Sequence, residues 1–332
     1  MPLFRRPAPS GDDLPALTDR QLHARYRSVS LSLEDGDDPA ARATLADALA
    51  AEVLRRDPGS AEFWYDRGML AKWRRDWAAS RELNATALDL VPDGRREGEP
   101  AAWNLGIAAT ALHDWDTAHR AWTAFGIALP ERAPGAPVSS DFGPAPVRLN
   151  ADPRFVGEPR LEVDGRTWDV EVVWGRRLCP TRIRILNVPT PESGHRFGDV
   201  VLHDGDTLGT RMFGEHELGV FNEIALWERS GLATVIVTVD APDGDAVEAL
   251  AELCDAEGGA AEDWTANMQR LCRACSEGSA HDAHDHAPQV PGWQPARSVG
   301  MAADPADVDR LLDRWAAGGP GRDYRDVEVA LA

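Results

Sequence analysis

The sequence predicts a multidomain protein, with an all-α N-terminal half built from helical repeats and an α+β C-terminal half. Three observations lead to this fold class. Apolar residues recur at helical spacing up to residue 130, one helix pair occurs twice in that stretch, and a period of two begins at residue 160. At 332 residues the chain is long enough to form two separate cores.

Charge and composition exclude several classes of function. The chain has a net charge of −20, and nucleic acids or anionic membranes attract proteins chiefly through Lys and Arg, so we expect neither as a partner. No apolar run is long enough to span a membrane, the N-terminus has no secretory signal, and four Cys are too few for a disulfide framework. We therefore expect a cytoplasmic protein. Scarce Lys beside abundant Arg and Ala indicates a GC-rich bacterial genome.

The N-terminal half begins with a tail. Residues 1–13 are rich in Pro and polar residues and are predicted to be disordered. A helical-repeat domain is expected over residues 14–130. Thr18 can cap its first helix, and Asp38, followed by Pro at the first helical position, begins the second.

Two segments of this domain repeat one pattern. Residues 61–92 and 99–130 align on Gly68 and Gly106, which are 38 positions apart. A small Gly lets two helices approach closely, while large aromatic residues fill the space around it and Pro ends the second helix. The other features that both copies share are an aromatic residue, an Asp-Trp turn and a closing Pro: Trp64 and Trp103, Asp76-Trp77 and Asp114-Trp115, and Pro92 and Pro130.

This pattern resembles the tetratricopeptide repeat (TPR) family. The second copy has Leu-Gly, Ala, an aromatic residue and Pro where the family places them, at Leu105-Gly106, Ala118, Trp122 and Pro130. The first copy departs from the family at Arg67, Ser80 and Asn84.

The resemblance implies stacked helix pairs whose first helices form a concave face that binds a protein or peptide. Residues expected on that face are Tyr65, Lys72 and Asn104. The alternative is a structural solenoid on which these three side chains are only solvated.

A change of composition separates the two halves. Residues 131–159 are rich in Pro, Gly and Ala and are predicted to be a linker or a lightly structured wrap. The α+β domain is expected over residues 160–332. Alternating apolar residues predict strands from residue 161, with a hairpin at Asp164-Gly165. A continuous β-branched run predicts a buried strand over residues 233–239, and helices are predicted over residues 243–254, 262–275 and 304–316.

One segment of the α+β domain concentrates residues that bind metals. Cys272 and Cys275 form a C-x2-C pair, and His281, His284 and His286 follow closely. Two thiolates and two imidazoles can surround a tetrahedral Zn²⁺, so a structural zinc site is predicted, which Cys254 could join. A catalytic zinc with an open position, and two reduced thiols beside a polar loop, remain as alternatives.

Other polar groups in the second half are weaker candidates. His195, His203 and the loop triplet Glu215-His216-Glu217 could line a hydrolytic or metal-binding pocket, or could be turn and edge residues. A local group of basic residues could bind an anion or pair with the chain's own carboxylates; it comprises Arg176, Arg177, Arg182 and Arg184.

These features support two functions of different classes. The first is a TPR adaptor that captures a protein partner and has a zinc-stabilised C-terminal domain. The second is a metal-dependent hydrolase or modifying enzyme with its active site in the α+β domain. A metal-free structural protein is the third possibility.

Overall fold

The computed structural model of the protein describes residues 11–31, 33, 38–151, 162–163, 166–167, 170–267 and 293–332. Residues 1–10 of the predicted disordered tail lie outside the described residues, whereas residues 11–13 belong to a short 3-10 helix, so the prediction is wrong at that end of the tail. The chain divides into two compact units, residues 1–138, which we call the helical unit, and residues 139–332, which we call the mixed unit. None of the helices described here combines the length and apolarity needed to cross a bilayer.

The prediction that the first half is all α is confirmed for its described residues. Thr18 caps the first helix through a capping box with Gln21, and Asp38 caps the second by accepting a hydrogen bond from the Ala41 amide. The α-helices are α1 (Asp19–Ser30), α2 (Pro39–Arg56), α3 (Ala61–Trp73), α4 (Trp77–Asp89), α5 (Pro100–Ala111) and α6 (Trp115–Phe125), with short 3-10 helices at Gly11–Ala16 and Asp93–Arg95.

The pairs α3–α4 and α5–α6 share their turn geometry. Asp76 caps α4 and Asp114 caps α6, each by accepting a hydrogen bond from the backbone amide three residues later. The residue before each cap has a left-handed backbone, with φ of 57° at Arg75 and 58° at His113. These four residues keep the spacing of 38 positions that relates the two copies in the sequence, so the repeat is a repeat of structure.

The close approach within each pair also occurs at equivalent places. A Cβ atom added at Gly106 would lie 2.5 Å from the ring of Trp122, which is fully buried. In the first copy Gly68 faces Asn84 instead. Asn84 donates to the Ser80 carbonyl oxygen (2.8 Å), and the Ser80 hydroxyl donates to the Gly68 carbonyl oxygen (2.9 Å). Two of the three departures from the TPR pattern, Ser80 and Asn84, thus form a buried polar contact in place of an aromatic one.

The mixed unit begins with a closed five-stranded barrel. Its strands follow one another as an antiparallel meander, and the first pairs with the last in parallel, as an odd number of alternating strands requires. Apolar residues from every strand fill it, among them Val147, Val173, Ile183, Val201 and Phe221. The strands are β1 (Pro144–Leu149), β4 (Glu171–Cys179), β5 (Arg182–Ile185), β6 (Val200–Phe213) and β7 (His216–Glu228).

The prediction of a linker over residues 131–159 is wrong in the middle of that segment. Residues 144–149, inside the segment predicted over 131–159, form the buried strand β1. The predicted hairpin turn at Asp164-Gly165 lies outside the described residues, but the segments on either side of it pair as β2 (Glu162–Val163) and β3 (Arg166–Thr167).

The rest of the described mixed unit is a four-stranded antiparallel sheet with two longer helices and one short helix. The elements are β8 (Ala233–Asp240), α7 (Gly244–Asp255), β9 (Ala260–Asp263), α8 (Trp264–Asn267), β10 (Ala296–Ala303), α9 (Val308–Ala317) and β11 (Asp323–Leu331). The strand order β11-β8-β10-β9, with α7 and α9 packed on the sheet, is that of a split βαβ motif. The α+β prediction is confirmed at this level.

Two of the helices predicted in this region have different bounds in the structure. The helix predicted over residues 262–275 is wrong at its start, because residues 260–263 pair with β10 as a strand. Trp264–Asn267 are helical, and residues 268–275 lie outside the described residues. The last helix begins at Val308 rather than residue 304, since Asp304 caps a preceding turn by accepting from the Ala306 amide. The helix over 243–254 is confirmed, with Asp243 as its N-cap.

Candidate functional site

Two of the three residues predicted to contact a partner are buried. Lys72, the only lysine in the sequence, is 4% exposed, and Asn104 is 3% exposed. The Lys72 ammonium on α3 donates a hydrogen bond to Asn104 Oδ1 on α5 (2.9 Å). The structure therefore corrects the expectation that both lie on an open face: they join two successive first helices. Tyr65 is half-buried, and its hydroxyl approaches the Met69 sulfur (3.9 Å).

The helix α5 has no open face over most of its length. Its residues from Ala101 to Thr110 are buried except for the partly buried Trp103. A helix that is apolar all round is normally covered on all sides. Among the first helices, α1 therefore offers a partner more accessible surface than α5 does.

The first helix of the unit presents an exposed basic stripe. A shallow surface cavity of about 590 Å³ runs along α1, and the exposed fraction of Leu31 at its end is 81%. We call its lining residues the α1 stripe; they are Arg20, His23, Ala24, Arg27, Ser28 and Leu31. Among the described residues no carboxylate forms an ion pair with Arg20 or Arg27. Their three- and four-residue spacing could have revealed the stripe in the sequence.

The predicted zinc ligands Cys272, Cys275, His281, His284 and His286 lie outside the described residues. Within the part of the chain that the structure does describe, no three His, Cys, Asp or Glu side chains are grouped to hold a metal ion.

The remaining cysteine considered for that site is in an apolar core. Cys254 on α7 is a buried free thiol packed among aliphatic residues of the split βαβ sheet. Burial raises the pKa of the Cys254 thiol to about 11, so the thiolate that would bind a metal is disfavoured here.

Partly buried carboxylates hold the loop between β5 and β6, residues 186–199. Glu171 accepts hydrogen bonds from the Thr190 amide (2.9 Å) and hydroxyl (3.1 Å). Glu262 on β9 accepts from Asn187 Nδ2 and the Val188 amide, both at 2.9 Å. Burial raises the pKa of Glu262 and that of Glu171, the latter to about 7, so Glu171 is partly protonated near neutral pH.

The same loop contains a buried histidine, His195. His195 Nε2 lies 2.8 Å from Glu223 Oε1, and its Nδ1 lies 2.9 Å from the Ser193 carbonyl oxygen. Both neighbours are acceptors, so this geometry favours an imidazole with a proton on each nitrogen. Burial opposes that charge, but the Glu223 carboxylate and the Ser193 carbonyl outweigh it and raise the pKa of His195. The second Glu223 oxygen accepts from the Asn150 amide (2.9 Å).

The histidines considered for one catalytic pocket have separate environments. His195 is engaged by Glu223, whereas His203 is fully buried against the Phe221 ring, with centroids 4.2 Å apart. Glu215, His216 and Glu217 are exposed at the turn of the β6–β7 hairpin. The predicted pocket is therefore not assembled by these residues.

The basic group on β4 and β5 also divides. Arg176 is exposed and pairs with Asp141, and Arg184 is exposed. Arg182 is buried, with its guanidinium 4.8 Å from the centroid of the Trp227 ring. Arg177 is half-buried between the rings of Phe142 and Phe221.

Comparisons with known proteins do not assign a family. No protein-family model matches the chain, and no curated protein matches it. Helix hairpins, small barrels and split βαβ sheets each occur in proteins of unrelated function, so function must be argued from surfaces and side chains.

Proposed function

We propose that this chain is a cytoplasmic TPR-like adaptor that binds a segment of another protein through the first helices of its helical unit. The observation that carries the proposal is the structural repeat of α3–α4 and α5–α6, with equivalent caps, left-handed residues and Gly contacts. Stacked helix pairs of this kind form extended binding surfaces. The free thiols of Cys179 and Cys254 suit a reducing compartment.

The α1 stripe is the surface we assign to the partner. It is exposed and basic on a chain whose net charge is −20, and its cavity ends at the exposed Leu31. Charge complementarity therefore favours an acidic segment that also carries an apolar residue. Lys72 and Asn104, being buried, are assigned a structural role between α3 and α5.

A site-specific photo-crosslinker at Ala24, within the α1 stripe, is expected to capture a discrete protein in cells that carry the native gene. The same crosslinker at Ala78, which is exposed on the second helix α4, is the matched position and is expected to capture none. Mass spectrometry of the crosslinked products identifies the partner.

Charge reversal then tests the chemistry of the contact. Arg20→Glu with Arg27→Glu should abolish the Ala24 crosslink, because it removes the only basic charge of the α1 stripe apart from His23. Arg95→Glu with Arg120→Glu makes the same charge change at exposed sites off the stripe and should leave the crosslink intact. Equal capture at Ala24 and Ala78, or equal loss in both charge variants, contradicts the proposal.

We further propose that a structural Zn²⁺ stabilises the mixed unit. Its ligands would be Cys272 and Cys275 with His281 and one of His284 and His286. The support for this proposal is the type and spacing of these residues in the sequence. Deprotonated thiolates and neutral imidazoles bind Zn²⁺ tightly, so binding would add directly to the free energy of unfolding.

Protein purified without chelators or an affinity tag is expected to contain about one zinc per chain. Cys272→Ser with Cys275→Ser should lose the metal and lower the melting temperature, whereas His216→Ala, at an exposed histidine, should change neither. Elemental analysis and calorimetry measure the two effects. Metal-free wild-type protein with an unchanged melting temperature in a chelator would exclude the site.

A further inference from the structure

Arg177 on β4 carries a charge for which the described residues supply no carboxylate partner. Its Nη2 donates to the Pro180 carbonyl oxygen (3.3 Å), and its Nε is buried without a hydrogen-bond partner in the described structure. Burial lowers the pKa of the guanidinium, as expected for a cation withdrawn from water. Carboxylates are not scarce in this chain, because Asp and Glu outnumber Lys and Arg by 55 to 35. The neighbouring Arg176 has one, Asp141.

Aromatic rings flank this guanidinium. Its central carbon lies 4.9 Å from the Phe221 ring centroid and 5.6 Å from that of Phe142. Phe221 is buried, whereas Phe142 and the Arg177 side chain are both partly exposed, so the site is not closed off from solvent on every side. The walls of the site are therefore apolar, and its charge is positive.

His203, which packs against the same Phe221 ring, carries a second donor that has no partner among the described residues. His203 is fully buried, its ring contacts Phe221, and its Nδ1 accepts a hydrogen bond from the Gly205 amide (3.1 Å). That bond assigns the ring proton to Nε2, which has no hydrogen-bond partner in the described chain. Burial and the Arg177 charge hold the pKa of His203 well below its usual range, so the imidazole is neutral.

We propose that Arg177, Phe142, Phe221 and His203 form a binding site for the carboxylate of a small organic acid with an apolar body. Both unpartnered groups are N–H donors, so the ligand must supply acceptors. Among the described residues the site has one positive charge and two donors without a partner, the same numbers as the one charge and two oxygens of a carboxylate. A phosphate dianion would keep an uncompensated charge in an apolar site. The rings provide the contact for the apolar body.

The test uses benzoate, acetate and inorganic phosphate as probes of the full-length protein, each against sodium chloride at equal ionic strength. Benzoate should raise the melting temperature in a saturable way, acetate less, and phosphate no more than the chloride control. Arg177→Met should weaken benzoate binding, measured by calorimetry, by at least about tenfold, because it removes the charge-assisted bonds. Arg176→Gln, on the same strand, is the control and should bind benzoate as the wild type does.

Two further measurements keep the result independent of folding. Without ligand, Arg177→Met should melt at or above the wild-type temperature, because it removes an unpaired, partly buried charge. In the wild type, saturating benzoate should shift the Nε2–H proton resonance of His203, while that of His195 stays in place. Benzoate binding that survives in Arg177→Met, a preference for phosphate, or an unmoved His203 resonance would each overturn the proposal.

Discussion

Replacing Gly106 with Ala is expected to lower the free energy of unfolding of the helical unit by on the order of 2–3 kcal/mol, the cost of overpacking a core. The new Cβ atom would lie 2.5 Å from the Trp122 ring, and Trp122 is fully buried, so the ring has no space into which to move. This cost exceeds the gain of up to about 1 kcal/mol that Ala normally brings to a helix interior. Urea denaturation followed by circular dichroism measures the difference.

The matched control is Gly94→Ala. A Cβ atom there would have no neighbour within 4 Å, and the backbone does not need a left-handed conformation. This variant should unfold within about 0.5 kcal/mol of the wild type, as surface substitutions usually do. If both variants unfold alike, the close approach of α5 and α6 at Gly106 does not hold this helix pair together.

The repeat of the helical unit could be predicted because its signals are local. Asp76 and Asp114 cap helices through their own neighbours, and Gly106 with Trp122 is a contact between adjacent helices. The burial of Lys72 and Asn104 could not be predicted in this way, since it depends on which other parts of the chain cover a helix. One signal was available: α5 has almost no polar residues, which is typical of a helix covered on all sides.

The barrel was harder to predict than the helices. Residues 144–149 read PAPVRL, a composition typical of a linker, yet they close the barrel by pairing with β4 and β7. That pairing joins residues far apart in the sequence, and such contacts leave little trace in a local pattern. The strand β9 was missed for the same reason, because its four residues are a strand only by pairing with β10.

For the candidate site, the sequence indicated which residue types to consider but not where their side chains lie. The sequence singled out His195, His203 and the four arginines as candidates without indicating their partners. The structure gives His195 a carboxylate and leaves Arg177 without one among the described residues. Which ion pairs form depends on register and on loop 186–199, so only the structure separates the paired from the unpaired groups.

Glu223→Ala is expected to destabilise the mixed unit by about 3–5 kcal/mol at pH 6, the usual cost of breaking a buried ion pair. The substitution leaves His195 Nε2 and the Asn150 amide without their acceptor, and His195 is only 5% exposed. Loop 186–199 would then lose its attachment to β7. Chemical denaturation measures the loss, and Glu228→Ala, at the exposed end of the same strand, should cost little.

The pH dependence of this difference separates the ion pair from simple packing. The folded protein raises the pKa of His195 above its ordinary value of 6.5, so the folded state holds the proton more tightly than the unfolded chain. The stabilisation is therefore complete below pH 6.5 and is lost as the pH rises through the raised pKa. The difference in unfolding free energy between wild type and Glu223→Ala should narrow over that range. A difference that stays constant with pH would mean that Glu223 acts through packing and its hydrogen bond from the Asn150 amide, and not through the charge of His195.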